Sequence, residues 1–320
     1  MLNQSYAFGV DIGGTSVKMG LFSVENGLLE KWQIPTRSDA DSATMLAEIA
    51  DSILKKTVEK GLAAADIRGI GVGVPGPVDA QGVVHGCVNL GWGAVALKAD
   101  MEALCGFDVC AENDANVAAL GEFWKGSARD CDSMVLLTLG TGVGGAVILG
   151  GRLLKGAHGC AGEMGHIAVC SDETVPCSCG RRGCLEQYAC ASGLVRLAKK
   201  MMDTGAHTIL DEKQITAEAI FSAAQSNDPV ALQAIDDMAK FLGSALADIA
   251  AVCDPQVMLL GGGLSQAGQP LCDAVTRHYR HMAFGDMVNT PIKIAKLQND
   301  AGIWGAVGLL RTTHHGHSMK

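Results

Sequence analysis

The chain has 320 residues, of which 48% are hydrophobic, and a formal net charge of −9 at pH 7. That length is enough for about two domains with a sizeable core. The acidic balance argues against a nucleic-acid partner, which needs a basic face, but not against ATP, which backbone N–H groups and Mg²⁺ can hold. The sequence contains no apolar run of roughly 18 residues, so we expect no membrane partner.

The cysteine usage indicates a reducing compartment. Twelve cysteines are present, and they do not form the evenly spaced framework of a short secreted chain. The N-terminal segment MLNQSYAFGVDIGG shows no signal peptide. We therefore expect a cytoplasmic protein with reduced thiols, most of which pack in the core.

The first two predicted strands, 6–10 and 16–22, enclose the turn D-I-G-G-T at 11–15. Because glycine lacks a Cβ, the backbone N–H groups of such a turn can approach a phosphate closely. Asp11 could hold Mg²⁺, directly or through water. Taken alone, the motif is equally well explained as an ordinary hairpin turn.

The next predicted elements are a helix from Asp41 or Ser42 up to Gly61 and a strand over 70–74. The strand ends at a Pro-Gly-Pro turn around Gly76, and residues 85–93 are predicted to form a loop. Asn89 in that loop can donate to and accept from sugar hydroxyls, although a turn-stabilising role is commoner for asparagine.

A predicted strand over 107–111 leads through E-N-D-A-N, residues 112–116, into an apolar helix over 117–124. Asp114 lies at this strand-to-helix junction, where the helix dipole favours a carboxylate. Two interpretations remain open on the residues alone. Asp114 is either an N-cap or a general base for a hydroxyl, flanked by two amides that could position that hydroxyl.

Residues 133–149 repeat the opening pattern of strand, Gly/Thr-rich turn and strand. A dinucleotide-binding fingerprint would open a helix, but a further strand follows here, and no G-x-x-x-x-G-K-S/T phosphate loop is present. Two similar hairpins indicate a duplicated fold with a phosphate between its halves. This arrangement resembles the actin/hexokinase type of two-lobed ATPase.

Cys177, Cys179 and Cys184 form C-x-C-G-x-x-G-C, and His166 precedes them. Closely spaced thiolates on a glycine-containing turn suit tetrahedral Zn²⁺. A Cys₃His set would leave no open position, so the zinc would be structural. The alternative is three reduced cysteines in a loop.

Two carboxylates flank this motif: Glu163 lies three residues before His166, and Glu186 two residues after Cys184. They are either acceptors aimed at a polyhydroxylated ligand or solvated surface groups.

The rest of the chain predicts helices over 192–202 and 216–226 and a long helix from Asp228-Pro229 to Cys253. A strand over 257–260 then runs into Gly261–Gly263, which is either a nucleotide-binding loop or a simple glycine loop. A last strand, 291–297, and a last helix, 299–311, complete the prediction.

Five motifs occur in the order D-I-G-G-T, E-N-D-A-N, L-G-T-G-V-G-G, G-E-M-G-H and C-x-C-G-x-x-G-C-x-E. In that combination the chain resembles the ROK family of bacterial sugar kinases and sugar-sensing repressors. The N-L-G-W stretch and the cysteine set are most similar to the family's ATP-dependent glucokinases. The resemblance implies a two-lobed α/β fold of the actin/hexokinase type, ribonuclease H-like and duplicated. Residues 1–118 plus 300–320 would form the small lobe, and 119–299 the large, zinc-carrying lobe.

The resemblance also implies a role for each matching residue, with Asp114 as the catalytic base. The expected sugar-binding residues are Gly76, Asn89, Asn113, Glu163, His166 and Glu186. The residues expected to bind ATP and catalytic Mg²⁺ are Asp11, Gly13, Gly14, Thr15, Thr141, Gly142, Gly261, Gly262 and Gly263. The expected ligands of structural Zn²⁺ are His166, Cys177, Cys179 and Cys184. His166 would then use one ring nitrogen for zinc and the other for sugar.

The implied reaction is transfer of the γ-phosphoryl of ATP to the 6-hydroxyl of a hexose, with glucose as the expected substrate and a homodimer or homotetramer as the expected assembly. Kinases for N-acetylglucosamine, N-acetylmannosamine, fructose or allose share these motifs, because the discrimination depends on pocket shape. A polyphosphate donor is a further alternative. A repressor needs a DNA-binding domain before the first hairpin, and only ten residues precede Asp11.

Overall fold

The computed structural model describes residues 5–23, 25, 27–37 and 41–312. The chain forms two compact units. The first comprises Met1–Asp130, Gly150–Ala161 and Asn299–Lys320, and the second comprises Cys131–Leu149 and Gly162–Gln298. The predicted small lobe includes residues 313–320, which lie outside the described residues.

The described residues contain both strands and helices. The strands are β1 (Tyr6–Ile12), β2 (Ser16–Ser23), β3 (Gly27–Pro35), β4 (Ile67–Val74), β5 (Val84–Cys87), β6 (Trp92–Val95), β7 (Val109–Asn113), β8 (Met134–Leu139), β9 (Val143–Leu149), β10 (Arg152–Leu153), β11 (Val257–Gly261) and β12 (Ile292–Ile294). The helices are α1 (Ser42–Glu59), α2 (Leu97–Cys105), α3 (Asp114–Trp124), α4 (Glu186–Ala189), α5 (Ala191–Met202), α6 (Ala217–Gln225), α7 (Pro229–Cys253), α8 (Gln269–Met282) and α9 (Ala301–Thr312).

The first unit is built on a sheet in the order β3-β2-β1-β4-β7. The hairpin β1–β2 is antiparallel, whereas β1–β4 and β4–β7 are parallel. Side chains of α1 and α2 pack with Phe8, Val10 and Ile12 in one apolar cluster. Ala7, on the opposite face of β1, packs with Ile303 and other residues of α9. The sheet is therefore covered by helices on both faces, which explains its nearly continuous apolar strands.

The second unit repeats this topology. Its sheet runs β9-β8-β11-β12, with an antiparallel hairpin β8–β9 followed by the parallel pairs β8–β11 and β11–β12. The long helix α7 begins as the sequence predicts, because Asp228 caps it by accepting the N–H of Ala231 at 2.9 Å. The repeat of a glycine-turn hairpin followed by parallel strands agrees with the predicted duplicated α/β fold.

Two local predictions differ from the structure. Residues 85–93 were expected to form a loop, but β5 and β6 pair there as a short hairpin in which Cys87 faces Trp92. Both of these side chains are buried, so their burial stabilises a pairing that the short, glycine-rich segment does not suggest. The last strand is also shorter than expected and spans Ile292–Ile294 only. In the described part of the chain, no helix is both long and apolar enough to cross a membrane.

Candidate active site

In the E-N-D-A-N segment Asp114 directly follows β7, and Asn113 caps the helix that begins there. The Asn113 side-chain oxygen accepts the N–H groups of Ala115 at 3.0 Å and Asn116 at 3.2 Å. Asp114 is therefore the first residue of α3 and not its N-cap, which removes one of the two interpretations open from sequence. The Asn113 amide also donates to the Gly76 carbonyl at 3.2 Å, which joins the Pro-Gly-Pro turn to the start of the helix.

Burial controls the charge of the two carboxylates in the first unit. Burial raises the pKa of Asp114, and the N–H of Ala115, 2.8 Å from Oδ1, opposes the shift. Burial also raises the pKa of Asp11 to about 6; Lys18, 3.8 Å away, lowers this pKa, and the negative charge of Asp114 raises it. Two buried carboxylates whose pKa values are both raised are suited to a divalent cation or to accepting a proton.

The D-I-G-G-T turn leaves its backbone open to a ligand. Gly13 N–H donates to Ser16 O at 3.1 Å, and the Thr36 hydroxyl donates to Gly13 O at 2.6 Å. Gly14 and Thr15 are exposed, and a Cβ added at Gly14 would meet nothing within 4 Å. A phosphate can therefore reach this backbone.

The structure brings Gly76, Asn113 and Asp114 together, while Asn89 lies exposed in the turn Val88–Leu90 between β5 and β6. The β5–β6 hairpin lies against the Pro-Gly-Pro turn, because a Cβ at Gly76 would collide with the Gly86 carbonyl.

In the second unit the predicted zinc ligands converge. Their ligand atoms, from His166, Cys177, Cys179 and Cys184, all lie within 4.8 Å of one another. The Cys179 and Cys184 sulfurs are 3.6 Å apart, and Cys177 Sγ lies 3.9 Å from His166 Nδ1. A tetrahedral zinc with bonds of about 2.3 Å sets its sulfur ligands about 3.8 Å apart, so the donor set and its spacing fit the ion.

Two thiols of the cluster have pKa values shifted in opposite directions, since burial raises the pKa of Cys184 to about 12. A backbone hydrogen bond from Arg181 is the main cause that lowers the pKa of Cys179 to about 6. A thiolate is the form of cysteine that binds zinc. The other ring nitrogen of His166, Nε2, lies 4.0 Å from a carboxylate oxygen of Glu163. The ring can therefore offer Nδ1 to zinc and keep Nε2 next to Glu163.

Glu186 joins the zinc turn to the second glycine hairpin. Its Oε2 accepts the N–H of Val143 at 3.0 Å, and its Oε1 accepts the Ser178 hydroxyl at 3.0 Å. Sequence reasoning missed both partners. Each lies in a different segment, and only packing brings them to the carboxylate.

The remaining predicted nucleotide-binding residues lie in two neighbouring turns of the second unit. Thr141 is exposed in the β8–β9 turn, which Gly140 closes by donating to Gly142 O at 3.0 Å. Gly262 has φ +78° and packs so tightly that a Cβ there would lie 2.5 Å from the carbonyl of Leu139, at the end of β8. Only glycine fits this position, because both the backbone angle and the space exclude a side chain.

A cavity of about 280 Å³ lies beyond the glycine loop in the second unit. Its mostly apolar lining includes Phe221, Ile235, Ala267, Pro270, Leu271 and Ala274. Nothing in the sequence pattern indicated this cavity, because α6, α7 and α8 each contribute one wall.

Comparison with known proteins gives consistent matches over nearly the whole chain. The model of the ROK family matches residues 7–313. A glucokinase of Halalkalibacterium halodurans is 37% identical over 322 residues, covering 97% of this chain and 96% of that protein. The ROK family glucokinase of Streptomyces griseus, solved with glucose and AMPPNP, has a TM-score of 0.79 at 33% identity and covers 96% of this chain and 99% of its own. The ROK hexokinase of Thermus thermophilus has a TM-score of 0.83 at 30% identity, with 98% and 100% covered.

Proposed function

This chain belongs to the ROK family, and we propose from that membership that it is an ATP-dependent hexokinase that converts glucose to glucose 6-phosphate. The predicted family and the predicted α/β fold are confirmed by these similarities. The catalytic part of the proposal rests on the position and burial of Asp114. It is a half-buried carboxylate with a raised pKa, fixed at the first turn of α3 beside the amide of Asn113.

In the proposed reaction Asp114 orients the 6-hydroxyl of the sugar and accepts its proton. The bond from O6 to the γ-phosphorus forms while the bond from that phosphorus to the bridging oxygen breaks, and ADP leaves. The proton ends on a carboxylate oxygen of Asp114, whose raised pKa makes it a better acceptor than an exposed aspartate.

The proposed sugar contacts are hydrogen bonds to the hydroxyl groups. They would come from the Gly76 turn, Asn89, Asn113, Glu163, His166 Nε2 and Glu186. Carboxylates and amides can each bond two hydroxyls, which suits a polyhydroxylated ligand. Glu186 keeps acceptor capacity for this role at Oε2, to which the structure gives one hydrogen-bond partner, the N–H of Val143.

The proposed nucleotide site uses the exposed turns. The residues proposed to bind the phosphates are Gly13, Gly14, Thr15, Thr141, Gly142 and the Gly261–Gly263 loop. Asp11 would hold Mg²⁺, which neutralises charge on the transferred phosphoryl group. The apolar cavity next to the glycine loop is our candidate for the adenine ring, because its walls offer the flat apolar contact that a purine needs.

The proposed metal of the cysteine cluster is a structural zinc held by His166, Cys177, Cys179 and Cys184. Bound zinc would fix the turn from which Glu186 begins α4 and the ring of His166, both of which are proposed sugar ligands. The ion would thus act on sugar binding and not on the transferred phosphoryl group.

Glucose is favoured over N-acetylglucosamine, N-acetylmannosamine, fructose and allose, because relatives named glucokinase are 34–37% identical to this chain, whereas relatives named for N-acetylated sugars are 30–31% identical. A sensor without catalysis is not favoured for the same reason. An enzyme that consumes ATP works where ATP is held, so the proposal places it in the cytoplasm. The proposed assembly is a homodimer or homotetramer, which sedimentation equilibrium distinguishes from a monomer.

The test is ADP release from ATP·Mg²⁺ against a panel of hexoses and N-acetylhexosamines, with zinc measured on the same sample. The proposal predicts the highest kcat/KM on glucose and about one zinc per chain. A preference for an N-acetylated sugar would overturn the choice of glucose. The absence of turnover on every sugar would overturn the kinase itself.

A further inference from the structure

Glu112, the residue before Asn113, is a buried carboxylate to which the proposed reaction assigns no role. It is 2% exposed at the end of β7. Its Oε1 accepts the backbone N–H of Asn113 at 2.9 Å and the side-chain amide of Asn116, itself 3% exposed, at 3.0 Å. The carboxylate therefore holds both asparagines that flank Asp114.

The charge partner of Glu112 comes from a distant part of the sequence. Within the described residues Oε2 makes no hydrogen bond, and the Lys155 ammonium, 2.5 Å away, is the positive charge beside it. Lys155 is itself 54% exposed. A buried carboxylate is costly without a partner, so the ion pair with this lysine offsets the cost of burying Glu112.

Lys155 belongs to a short segment, Gly150–Ala161, that is grouped with the first unit although the chain before and after it belongs to the second. Ala161 N–H donates to the Lys155 carbonyl at 3.2 Å, which closes the segment into a loop. A Cβ at Gly159 would lie 3.2 Å from the carbonyl of Val78, just after the Pro-Gly-Pro turn. The loop is therefore fixed at two places near Asn113. Lys155 pairs with Glu112, and Gly159 lies beside the Pro-Gly-Pro turn, to which the Asn113 amide also donates.

We infer that Lys155 is a positioning residue for the catalytic base: by pairing with Glu112 it fixes Asn113 and Asn116, and through them the carboxylate of Asp114. The inference rests on the proposed kinase function. Lys155 does not contact substrate in this role. Its effect passes through three steps: the ion pair with Glu112, the two hydrogen bonds of Glu112 Oε1, and the Asn113 cap of α3.

The test compares kcat and KM for glucose in wild type, Lys155→Met, Lys155→Arg, Glu112→Gln and the double variant Glu112→Gln/Lys155→Met. Arg152→Met, on the same segment, is the matched control. We expect Lys155→Met to lower kcat about 10- to 100-fold, the effect of a misplaced catalytic group. KM should change less than kcat, because the proposed sugar contacts of Glu163, His166 and Glu186 are untouched, and Lys155→Arg should keep most of kcat.

The double variant separates positioning from a general loss of charge. A glutamine at 112 is neutral and can still accept from Asn113 and Asn116, so it does not need Lys155. We therefore expect Lys155→Met to lower kcat when Glu112 is present and to have no further effect when Gln is present. Wild-type kcat in Lys155→Met, or a Lys155→Met effect of the same size in both backgrounds, would overturn the inference.

Hydrogen–deuterium exchange of residues 109–117 gives a readout that does not need activity. Lys155→Met should speed exchange of this segment, and Arg152→Met should not. If wild type shows no kinase activity while Lys155→Met still speeds exchange there, the kinase function fails and the Lys155–Glu112 link stands. If wild type is active and exchange is unchanged, the link fails and the kinase function stands.

Discussion

Glu186 Oε2 accepts the backbone N–H of Val143 at 3.0 Å, so a residue at the end of the cysteine turn holds the start of the second strand of a glycine hairpin. A Cβ at Gly142 would lie only 2.5 Å from the same oxygen, so a larger residue there would displace the carboxylate. The other carboxylate oxygen bonds Ser178, within the cysteine motif itself. A change at the proposed metal site is therefore transmitted to Glu186 and the hairpin by direct contacts.

Removal of a zinc ligand should weaken sugar binding before it changes the chemical step. In Cys177→Ser we expect zinc to fall from about one per chain to a small fraction, and KM for glucose to rise by about tenfold or more. Cys253→Ser is the control, because that thiol already bonds the Ile249 carbonyl and lies outside the cluster. Metal analysis and steady-state kinetics on the same preparations test this. Full zinc and unchanged KM in Cys177→Ser would contradict the site.

Asp114→Asn should abolish most of the turnover while leaving sugar affinity nearly unchanged. The amide keeps the size and can still accept from Ala115, but it cannot take the proton of the 6-hydroxyl. We expect kcat to fall by about 10² to 10⁴, with the dissociation constant for glucose, measured by calorimetry, changed less than about threefold. Asp100→Asn, an exposed acid of α2, is the control. Near-full kcat in Asp114→Asn would show that another group is the base.

The raised pKa of Asp114 predicts opposite pH effects on rate and on stability. The base must be ionised, so kcat should fall with decreasing pH along a limb that lies above the ordinary aspartate value of 3.8. For stability, a carboxyl whose folded pKa is raised binds protons more tightly when folded. Its contribution is complete below 3.8 and is lost as pH rises through the folded value.

Thermal unfolding without substrate or Mg²⁺ tests the second half of this prediction. Asp114→Asn should be more stable than wild type at pH 8, and this advantage should shrink towards pH 4. If Asp114→Asn is equally or less stable than wild type at pH 8, burial does not destabilise the ionised carboxylate of Asp114.

The sequence alone predicted the parts of the fold that depend on local patterns. Glycine turns between apolar strands predicted both hairpins, and Asp228-Pro229 predicted the start of α7, because these signals act within a few residues. The spacing of the cysteines and His166 likewise predicted a cluster that the structure brings within 4.8 Å.

Contacts between distant segments were out of reach. The pairing of Lys155 with Glu112 and the bonds of Glu186 to Val143 and Ser178 depend on how separate elements pack. The identity of the α3 cap depends on which of two adjacent residues ends β7. Propensity treats Asn113 and Asp114 as nearly equal caps, and the parallel pairing of Asn113 with Val74 in β4 decides between them.

Gly302→Ala should separate activity from stability, because a methyl group there points at the proposed magnesium ligand. A Cβ at Gly302, in the first turn of α9, would lie 2.5 Å from Asp11 Cγ and 2.6 Å from Oδ2, so the carboxylate must move. Alanine is the better helix former by about 1 kcal/mol, but Asp11 Cβ, at 2.9 Å, must also give way, so we expect a modest fall in melting temperature. We expect kcat to fall about tenfold as Asp11 leaves its position, with KM for ATP·Mg²⁺ raised.

Gly308→Ala on the same helix is the control, since its Cβ would meet only Trp124, at an ordinary 3.9 Å. Wild-type kinetics in Gly302→Ala would mean that Asp11 is not held where the reaction needs it, and a large loss of melting temperature would mean that the methyl group disturbs α9 itself.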